Sequence, residues 1–288
     1  MPSELCHSEE SYGLFMEQVK RIASALVLLP PLVLCFLYAS PGLFLVLVLI
    51  VIGLSLREYF HILQHVPIPV CPYVPLLAAF ALAMTAYLSD GDARWLSLTL
   101  FLSMVVLTLS VMLTASQTAH FLPMLVYSVF GVFFIAWTLS HLILLRGLPA
   151  GQWYMLFLCA VVWVGDSAAM YIGKSLGQHK MAPAISPGKT WEGAVGGVVG
   201  SVGTAMLSAG FWLPHLLLWQ CVVLGLCIAL AAQLSDLGES MLKRYAGVKD
   251  SSGLIPGHGG ILDRIDSLLF ATPTLVYALY VLLPVPSS

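Results

Sequence analysis

Charged residues are scarce in this sequence. Only 9 % of its 288 residues are Asp, Glu, Lys or Arg, whereas 59 % are hydrophobic, and the mean hydropathy is +0.94. Soluble domains average about a quarter charged residues and under half apolar ones, so this composition excludes an ordinary cytosolic domain, a disordered chain and a nucleic-acid-binding protein. The composition therefore predicts a protein that is embedded in the lipid bilayer.

Three familiar signals are also missing. The six cysteines include no CxxC pair and fall mostly in apolar stretches, so we expect neither a disulfide framework nor a zinc site. The polar amino-terminal stretch lacks the basic start of a secretory signal, so we expect no cleavage. The segment Gly188-Lys189-Thr190 is not a P-loop, because the glycine spacing before it is wrong and no buried strand precedes it.

Long apolar runs recur along the chain. A helix needs about 20 mostly apolar residues to cross the hydrocarbon layer, and open strands cannot cross because their backbone groups would remain unpaired. The runs predict an all-α, polytopic integral membrane protein with about nine transmembrane helices. The predicted spans are residues 22–40, 42–57, 72–88, 95–115, 121–145, 152–173, 192–213, 215–235 and 261–283. The boundary between the first two spans falls near Ser40-Pro41.

The basic residues fall mostly on one side of these spans. With a cytoplasmic amino terminus, ten basic residues lie inside and two, Arg94 and Arg146, lie outside. The inner ten are Lys20, Arg21, Arg57, Lys174, Lys180, Lys189, Lys243, Arg244, Lys249 and Arg264. Because cytoplasmic loops carry an excess of Lys and Arg, this asymmetry predicts a cytoplasmic amino terminus and an external carboxyl terminus.

The two halves of the chain differ in kind. Residues 1–150 contain span after span with short connections, which is typical of an amino-terminal transmembrane scaffold. Residues 151–288 contain two long, polar, glycine-rich loops between their spans, and both loops fall on the cytoplasmic side. We expect the chemistry in this carboxyl-terminal transmembrane region.

The first polar segment begins inside an apolar span. A carboxylate at the depth of Asp166 costs several kcal/mol, so it should face a protein interior or a watery cavity; the alternative is a structural carboxylate bonded to a neighbouring helix. The loop that follows ends where a helix opens near Glu192, and the free N–H groups of a helix start favour a phosphate. The loop's polar candidates for substrate binding are Lys174, His179, Lys180, Ser186, Lys189, Thr190 and Glu192.

Simpler interpretations exist for parts of this segment. Lys174 and Lys180 are equally well explained as topology determinants that touch lipid headgroups. Gly193, Gly196 and Gly197 would let another helix approach closely, which is a packing role that needs no function.

The second polar segment begins at the end of the eighth predicted span. If this stretch is helical, Asp236, Glu239, Ser240 and Lys243 share one face, and one interpretation is a self-neutralising stripe of salt bridges. Further on, Asp263 and Asp266 stand at positions i and i+3 of a helix start. Carboxylates of this kind suit Mg²⁺, which prefers one or two of them together with phosphate oxygens and water.

A glycine-rich turn with His258 lies in the sequence between the pair Asp236 and Glu239 and the pair Asp263 and Asp266. Its backbone is flexible enough to wrap an anion, and His258 is a candidate donor or proton carrier. Clustered Asp, Lys, Arg and His beside such turns are typical of phosphoryl or nucleotidyl transfer, where catalysis is mainly positioning and charge neutralisation.

These residues resemble the phosphatidate cytidylyltransferases, also called CDP-diacylglycerol synthases. The carboxyl-terminal signature of that family is matched by Ser240, Lys243, Arg244, Lys249, Asp250, Ile255, Pro256, His258, Gly259, Gly260, Asp263, Arg264 and Asp266. An upstream block is matched by Asp166, Ala169, Gly173, Lys174, Gly177, His179, Lys180, Ser186, Pro187, Lys189, Thr190, Trp191, Glu192 and Gly193. The resemblance covers residues 150–283 strongly, while the earlier spans match only in hydropathy and at Arg57-Glu58-Tyr59.

The resemblance implies an enzyme that condenses CTP with phosphatidic acid to give CDP-diacylglycerol and pyrophosphate, with Mg²⁺ as cofactor. It implies a bacterial-type inner membrane location, contact with membrane lipid, and a homodimer. Asp236, Asp263 and Asp266 are the implied metal-holding residues. Lys249, Asp250 and His258 complete the implied catalytic set. Lys189, Lys243, Arg244, Lys249 and Arg264 are the candidates for neutralising the substrate phosphates, with Ser240 among the other substrate-binding residues.

Two other functions remain open at this stage. The nearest alternative is a CTP-dependent lipid kinase or a cytidylyltransferase for a different lipid. The matched signature argues against it, and the product would decide, because a kinase releases CDP whereas the implied reaction releases pyrophosphate. An ion-coupled transporter would use Asp166 and Asp236 as coupling sites, but the chain has no repeated half-sequence and both polar loops lie on one side.

Overall fold

The computed structural model describes residues 30–66, 70–89, 92–115, 117–252 and 259–283. These residues are mostly α-helical. Residues 30–38 form a first helical segment, and the helices that follow are α1 (Pro41–Leu63), α2 (Tyr73–Leu88), α3 (Ala93–Thr114), α4 (Thr118–Gly147), α5 (Gly151–Leu176), α6 (Trp191–Trp212), α7 (Leu218–Tyr245) and α8 (Leu262–Leu282). A short hairpin of β1 (Lys180–Ala182) and β2 (Ser186–Thr190) joins α5 to α6.

The all-α membrane fold is confirmed, while the number nine stays a prediction. Seven of the described helices are long and apolar enough to cross a membrane. Helix α2 matches the predicted span 72–88 but has only 16 residues, which is about 24 Å and shorter than a typical hydrocarbon layer. Most of the predicted span 22–40 lies outside the described residues.

Local sequence signals explain several helix boundaries. Ser40 caps α1 by accepting a hydrogen bond from the Leu43 amide at 3.3 Å, and Pro41 occupies the first turn. The predicted break near Ser40-Pro41 is therefore present. Asp92 caps α3 in the same way, accepting from the Arg94 amide at 2.9 Å. Helix α4 contains a π-helical turn at Val132–Trp137.

Helix α7 is longer than the apolar pattern predicts. The predicted span stops at residue 235, but the helix continues to Tyr245 and carries its polar residues into the region of the second loop. The added turns join Glu239 to Lys243 by an ion pair at i and i+4, with 2.6 Å between Oε2 and Nζ. This extension positions most of the polar side chains described below.

Helices α5 and α6 pack closely because α6 presents glycine to α5. A Cβ atom at Gly193 would lie 2.7 Å from the Ala169 carbonyl oxygen, and one at Gly196 would lie 2.4 Å from the Ile172 Cδ1 atom. The predicted packing role of these glycines is therefore confirmed. Helices α7 and α8 pack beside this pair, so the last four helices surround one polar region.

The surface of the helices is apolar in a way that suits lipid. Large side chains such as Leu113, Phe211 and Val281 are more than four-fifths exposed. Soluble monomers rarely expose broad apolar surfaces, whereas lipid-facing helices do so routinely. The buried core lies between α1, α2, α4, α5 and α8, where Tyr59, Phe134 and Phe157 are almost fully enclosed.

Candidate active site

A polar cavity of about 410 Å³ lies between α5, the hairpin, α6, α7 and α8. We call it the acidic cavity. Its polar lining includes Asp166, Lys174, Lys189, Gln233, Asp236 and Asp266. These residues come from both polar segments of the sequence, so the fold brings the two segments together at one place.

One ion pair crosses the acidic cavity. The Lys189 ammonium lies 2.8 Å from Asp236 Oδ2 and joins the hairpin to α7. The Asp266 carboxylate accepts a hydrogen bond from the Ser267 amide at 2.7 Å, and the Ser267 hydroxyl contacts Asp166. Among the described residues, neither Asp166 nor Asp266 forms an ion pair, so the cavity holds an excess of negative charge.

The donor set of this cavity fits a divalent cation bound together with phosphate. Within the described part of the chain, no three His, Cys, Asp or Glu side chains are close enough to form a complete metal cage. Mg²⁺ is usually held by one or two carboxylates, with phosphate oxygens and water completing its coordination. Asp236 and Asp266 supply oxygen ligands of this kind, because both line the same cavity.

Asp263 lies in a different environment from Asp266, one helical turn away. Its Oδ1 atom accepts from the Lys243 ammonium at 2.7 Å, and its Oδ2 atom accepts from the backbone amides of Ser251 at 3.0 Å and Gly260 at 2.8 Å. Asp263 does not line the acidic cavity. Its metal-holding role therefore stays a prediction, and in this structure its carboxylate joins Lys243 to the backbone at Ser251 and Gly260.

Glu58 reaches the same loop from the first half of the chain. It is buried near the end of α1, and its Oε1 atom accepts from the Ser252 hydroxyl at 2.6 Å and the Ile261 amide at 3.0 Å. Its Oε2 atom accepts from the Ser251 hydroxyl at 3.0 Å and the Leu262 amide at 2.8 Å. Glu58 thus fixes the start of α8 to α1.

Lys243 connects this loop to helix α7. Its ammonium lies between Glu239, whose side chain is fully buried, and Asp263, at 2.6 and 2.7 Å respectively. Two carboxylates on one ammonium make a compact ionic group in a poorly solvated place. We call Glu58, Glu239, Lys243, Ser251, Ser252 and Asp263 the loop network.

The hairpin has its own polar contacts. His179 Nδ1 lies 2.6 Å from Glu192 Oε1, and the Glu192 carboxylate also accepts from the backbone amides of Gln178 and His179. The Thr190 hydroxyl is buried and accepts from the Gly193 amide at 3.1 Å. In this structure these side chains hold the start of α6, and their substrate-binding roles stay predictions.

The remaining predicted residues lie around these two groups. Lys249, Asp250 and Arg264 are exposed near the start of α8, Lys180 is exposed on β1, and Ser186 and Ser240 are half-buried. Arg244 donates to the carbonyl oxygens of Ile185 and Val248, so it ties the hairpin to the second loop. His258 lies outside the described residues.

Sequence reasoning missed the role of Glu58. The signal was present, since an acidic residue at the end of an apolar span is costly unless it is paired. Its four partners stand about 200 positions later in the chain, so these contacts can be identified only from the fold. The partners are Ser251, Ser252, Ile261 and Leu262.

The fold and site together define a helical membrane protein with an acidic, lysine-bearing cavity suited to phosphate chemistry. The chain belongs to the Cytidylyltransferase family, whose model matches residues 19–282. This agrees with the resemblance read from the two polar segments.

Several proteins named phosphatidate cytidylyltransferase are similar to this chain. One from Brucella suis biovar 1 (strain 1330) is 44 % identical over 146 residues, which is 50 % of this chain and 54 % of the relative. One from Staphylococcus saprophyticus is 44 % identical over 125 residues, or 43 % and 48 % of the two chains. One from Bacillus subtilis (strain 168) is 37 % identical over 195 residues, or 66 % and 70 %. The chain spans about half the length of the first two relatives.

Proposed function

We propose that this protein is a phosphatidate cytidylyltransferase, which condenses CTP with phosphatidic acid to give CDP-diacylglycerol and pyrophosphate. The observation that carries the proposal is the acidic cavity, where the Lys189 ammonium and three carboxylates from separate elements meet inside a membrane-embedded helical fold. The family membership and the names of the similar proteins support the same reaction.

The reaction needs no protein nucleophile. A phosphate oxygen of phosphatidic acid attacks the α-phosphorus of CTP, a new P–O bond forms, and the bond to the bridging oxygen of pyrophosphate breaks as that oxygen takes the electron pair. Because the second pKa of a phosphate monoester is about 6, the attacking group is already ionised at neutral pH and requires no strong base.

The chain's residues bind, orient and neutralise. Lys189 is held at the cavity wall by Asp236, where its ammonium can also contact a phosphate oxygen. Lys174 also lines the cavity and adds a second positive charge. The loop network fixes the start of α8 and so fixes the position of Asp266. Such positioning and charge neutralisation are the main contributions a protein makes to transfer at phosphorus.

Asp236 and Asp266 are our candidates for holding Mg²⁺. When bound, the ion would neutralise charge on the departing pyrophosphate. This assignment can be tested without turnover by titrating Mn²⁺ in the presence of CTP and recording its electron paramagnetic resonance spectrum. Asp236→Asn should weaken the protein-dependent binding of Mn²⁺, while Asp92→Asn, at an exposed helix cap, should not. If Asp263→Asn weakens binding and Asp236→Asn does not, the assignment to the acidic cavity is wrong.

The basic-residue distribution along the sequence supports cytoplasmic access for CTP. We place both polar loops and the amino terminus in the cytoplasm and the protein in a bacterial-type inner membrane. A homodimer remains part of the proposal by resemblance.

The deciding experiment follows the phosphorus atoms of CTP. Purified protein in detergent with Mg²⁺ and phosphatidic acid should transfer label from α-labelled CTP to lipid and release the label of γ-labelled CTP as pyrophosphate. A lipid kinase would instead transfer the γ-label to lipid and release CDP. An ion-coupled transporter would turn over neither substrate, and either of these results would overturn the proposal.

A further inference from the structure

A second, larger cavity lies outside the acidic cavity. It is a groove of about 630 Å³ between α1 and α2, lined by residues from Gly53 to Gln64 at the end of α1 and from Pro72 to Phe80 at the start of α2. We propose that this α1–α2 groove binds a molecule of phosphatidic acid, with the phosphate at Arg57 and one acyl chain beside Gly53 and Phe80. The inference rests on the proposed function, because it names where the acceptor lipid docks.

The end of the groove near Gly53 and Phe80 is apolar, as an acyl chain requires. Leu54, Leu56, Leu76 and Phe80 supply apolar walls, and Gly53 leaves space between the helices because its missing side chain would point at the Phe80 ring. Gln64 follows Gly53 by eleven positions, so the groove extends about 16 Å along the helix axis. A groove of this kind is filled by hydrocarbon at little cost, because both are apolar.

The other end of the groove is polar and carries a positive charge. Arg57, His61 and Gln64 are exposed along one side of α1, at spacings of three and four residues. None of the ion pairs formed among the described residues includes Arg57. The neighbouring Glu58 carboxylate is turned into the loop network instead. An arginine that is free of carboxylate partners suits a phosphate, which it can bind through two parallel hydrogen bonds.

The groove adjoins the loop network. Glu58 and Ser252 line the groove and also belong to the loop network, which reaches Lys243 on α7 and Asp263 on α8. Asp236 and Asp266 of the acidic cavity lie on these same two helices. A lipid docked in the groove would therefore lie against the loop network, which fixes the start of α8, the helix that carries Asp266.

Photocrosslinking tests the site without requiring turnover. The full chain, in nanodiscs of phosphatidylcholine and without CTP, is irradiated with a phosphatidic acid that carries a diazirine in one acyl chain, and the labelled peptides are mapped. We expect labels on α1 between residues 53 and 61 and on α2 between residues 73 and 80. Unlabelled phosphatidic acid should compete for labelling, whereas phosphatidylcholine with the same chains and glycerol 3-phosphate should not.

Two variants separate the two ends of the groove. Gly53→Leu fills the apolar end and Arg57→Gln removes the charge, and each should lower labelling about tenfold, the effect of losing one good charged or apolar contact. Gly53→Ala should lower labelling by less than Gly53→Leu does. Its added carbon would make only ordinary contact with Phe80 at 3.7 Å, so this variant should not disturb folding. Gly42→Leu on the same helix and Arg94→Gln are the matched controls, and both should label as the wild type does.

The outcomes distinguish this inference from the proposed function. Labelling elsewhere, equal competition by phosphatidylcholine, competition by glycerol 3-phosphate, or wild-type labelling in Gly53→Leu and Arg57→Gln would overturn the groove as the lipid site, even if the protein makes CDP-diacylglycerol. Specific labelling of the groove in a protein that makes no CDP-diacylglycerol would instead refute the proposed function and leave the lipid site standing.

Discussion

The substitution Glu58→Gln removes one charge from the loop network and leaves the side-chain shape unchanged. Each carboxylate oxygen of Glu58 accepts one hydroxyl and one backbone amide, and these two amides belong to Ile261 and Leu262 at the start of α8. In either orientation of the new side chain, its NH₂ group faces one of these two amides. A hydroxyl can rotate and become an acceptor, but a backbone N–H cannot.

The magnitude follows from these contacts. A buried N–H that loses its acceptor costs about 1 to 3 kcal/mol, and the remaining bonds weaken because their acceptor is no longer charged. The whole substitution should cost about 2 to 5 kcal/mol, which is roughly a 30-fold to 4000-fold increase in the local opening of the α8 start. We expect lower cytidylyl transfer as a consequence, because Asp266 lies one turn further along α8.

Hydrogen exchange of the backbone amides measures this opening directly. In Glu58→Gln, exchange near residues 259–263 should accelerate by about the factor given above, while the amides of α5 and α6 keep their protection. The matched control is Asp92→Asn, which also replaces a helix-capping carboxylate by the corresponding amide. Asp92 caps α3 at an exposed position, where Asn is an equally good cap, so this substitution should not change exchange near α8. Ser252→Ala removes only one hydroxyl donor and should give an intermediate effect.

Unchanged exchange at residues 259–263 in Glu58→Gln would refute the view that Glu58 fixes the start of α8. Accelerated exchange over the whole chain would show general destabilisation instead of a local role. If exchange at these residues accelerates but cytidylyl transfer stays at the wild-type rate, the loop network does not contribute to the reaction.

Two further predictions concern packing and buried charge. Gly196→Leu should destabilise the protein by about 1 to 3 kcal/mol, because the new side chain overlaps Ile172, whereas Gly203→Leu on the same helix, where a Cβ meets nothing within 4 Å, should be close to neutral in detergent unfolding. Lys243→Met should cost about 3 to 5 kcal/mol, because it leaves the fully buried Glu239 without its cation. Adding Glu239→Gln to Lys243→Met should recover part of that stability, and a double variant less stable than the single one would contradict the ion-pair interpretation.

Much of the fold could be predicted from the sequence, because each transmembrane helix of a membrane protein appears as a long apolar run. The positions of α3, α4, α5, α6 and α8 agree with the predicted spans to within a few residues, since the apolar length needed to cross a bilayer is a strong constraint. Helix α1 continues to Leu63, six residues beyond the predicted end at residue 57. This and two further departures have a common cause, since the end of α1 also contains the polar residues Arg57, Glu58 and His61. Helix α7 continues through polar residues, and the hairpin forms in a polar loop, so hydropathy carries no signal for either.

The candidate site was predictable in composition but not in grouping. Asp236 and Asp266 lie together as expected, yet Asp263, which shares a helix face with Asp266 in the sequence pattern, contacts Lys243 and the second loop instead. Helical spacing gives the direction of a side chain and not the identity of its partner. The predicted stripe on α7 is likewise divided, because Glu239 pairs with Lys243 while Asp236 pairs with Lys189.

The amino-acid sequence by itself determined the class of protein, the approximate helices and the polar segments, because the bilayer excludes charge and forces backbone groups into helices. The two halves of the chain were predicted as a scaffold and a catalytic region, and nothing in their hydropathy connects them. Only the tertiary structure decided that Glu58 of the first half closes onto the start of α8. A buried carboxylate needs several donors at once, and only the folded chain brings the donors of residues 251, 252, 261 and 262 to it.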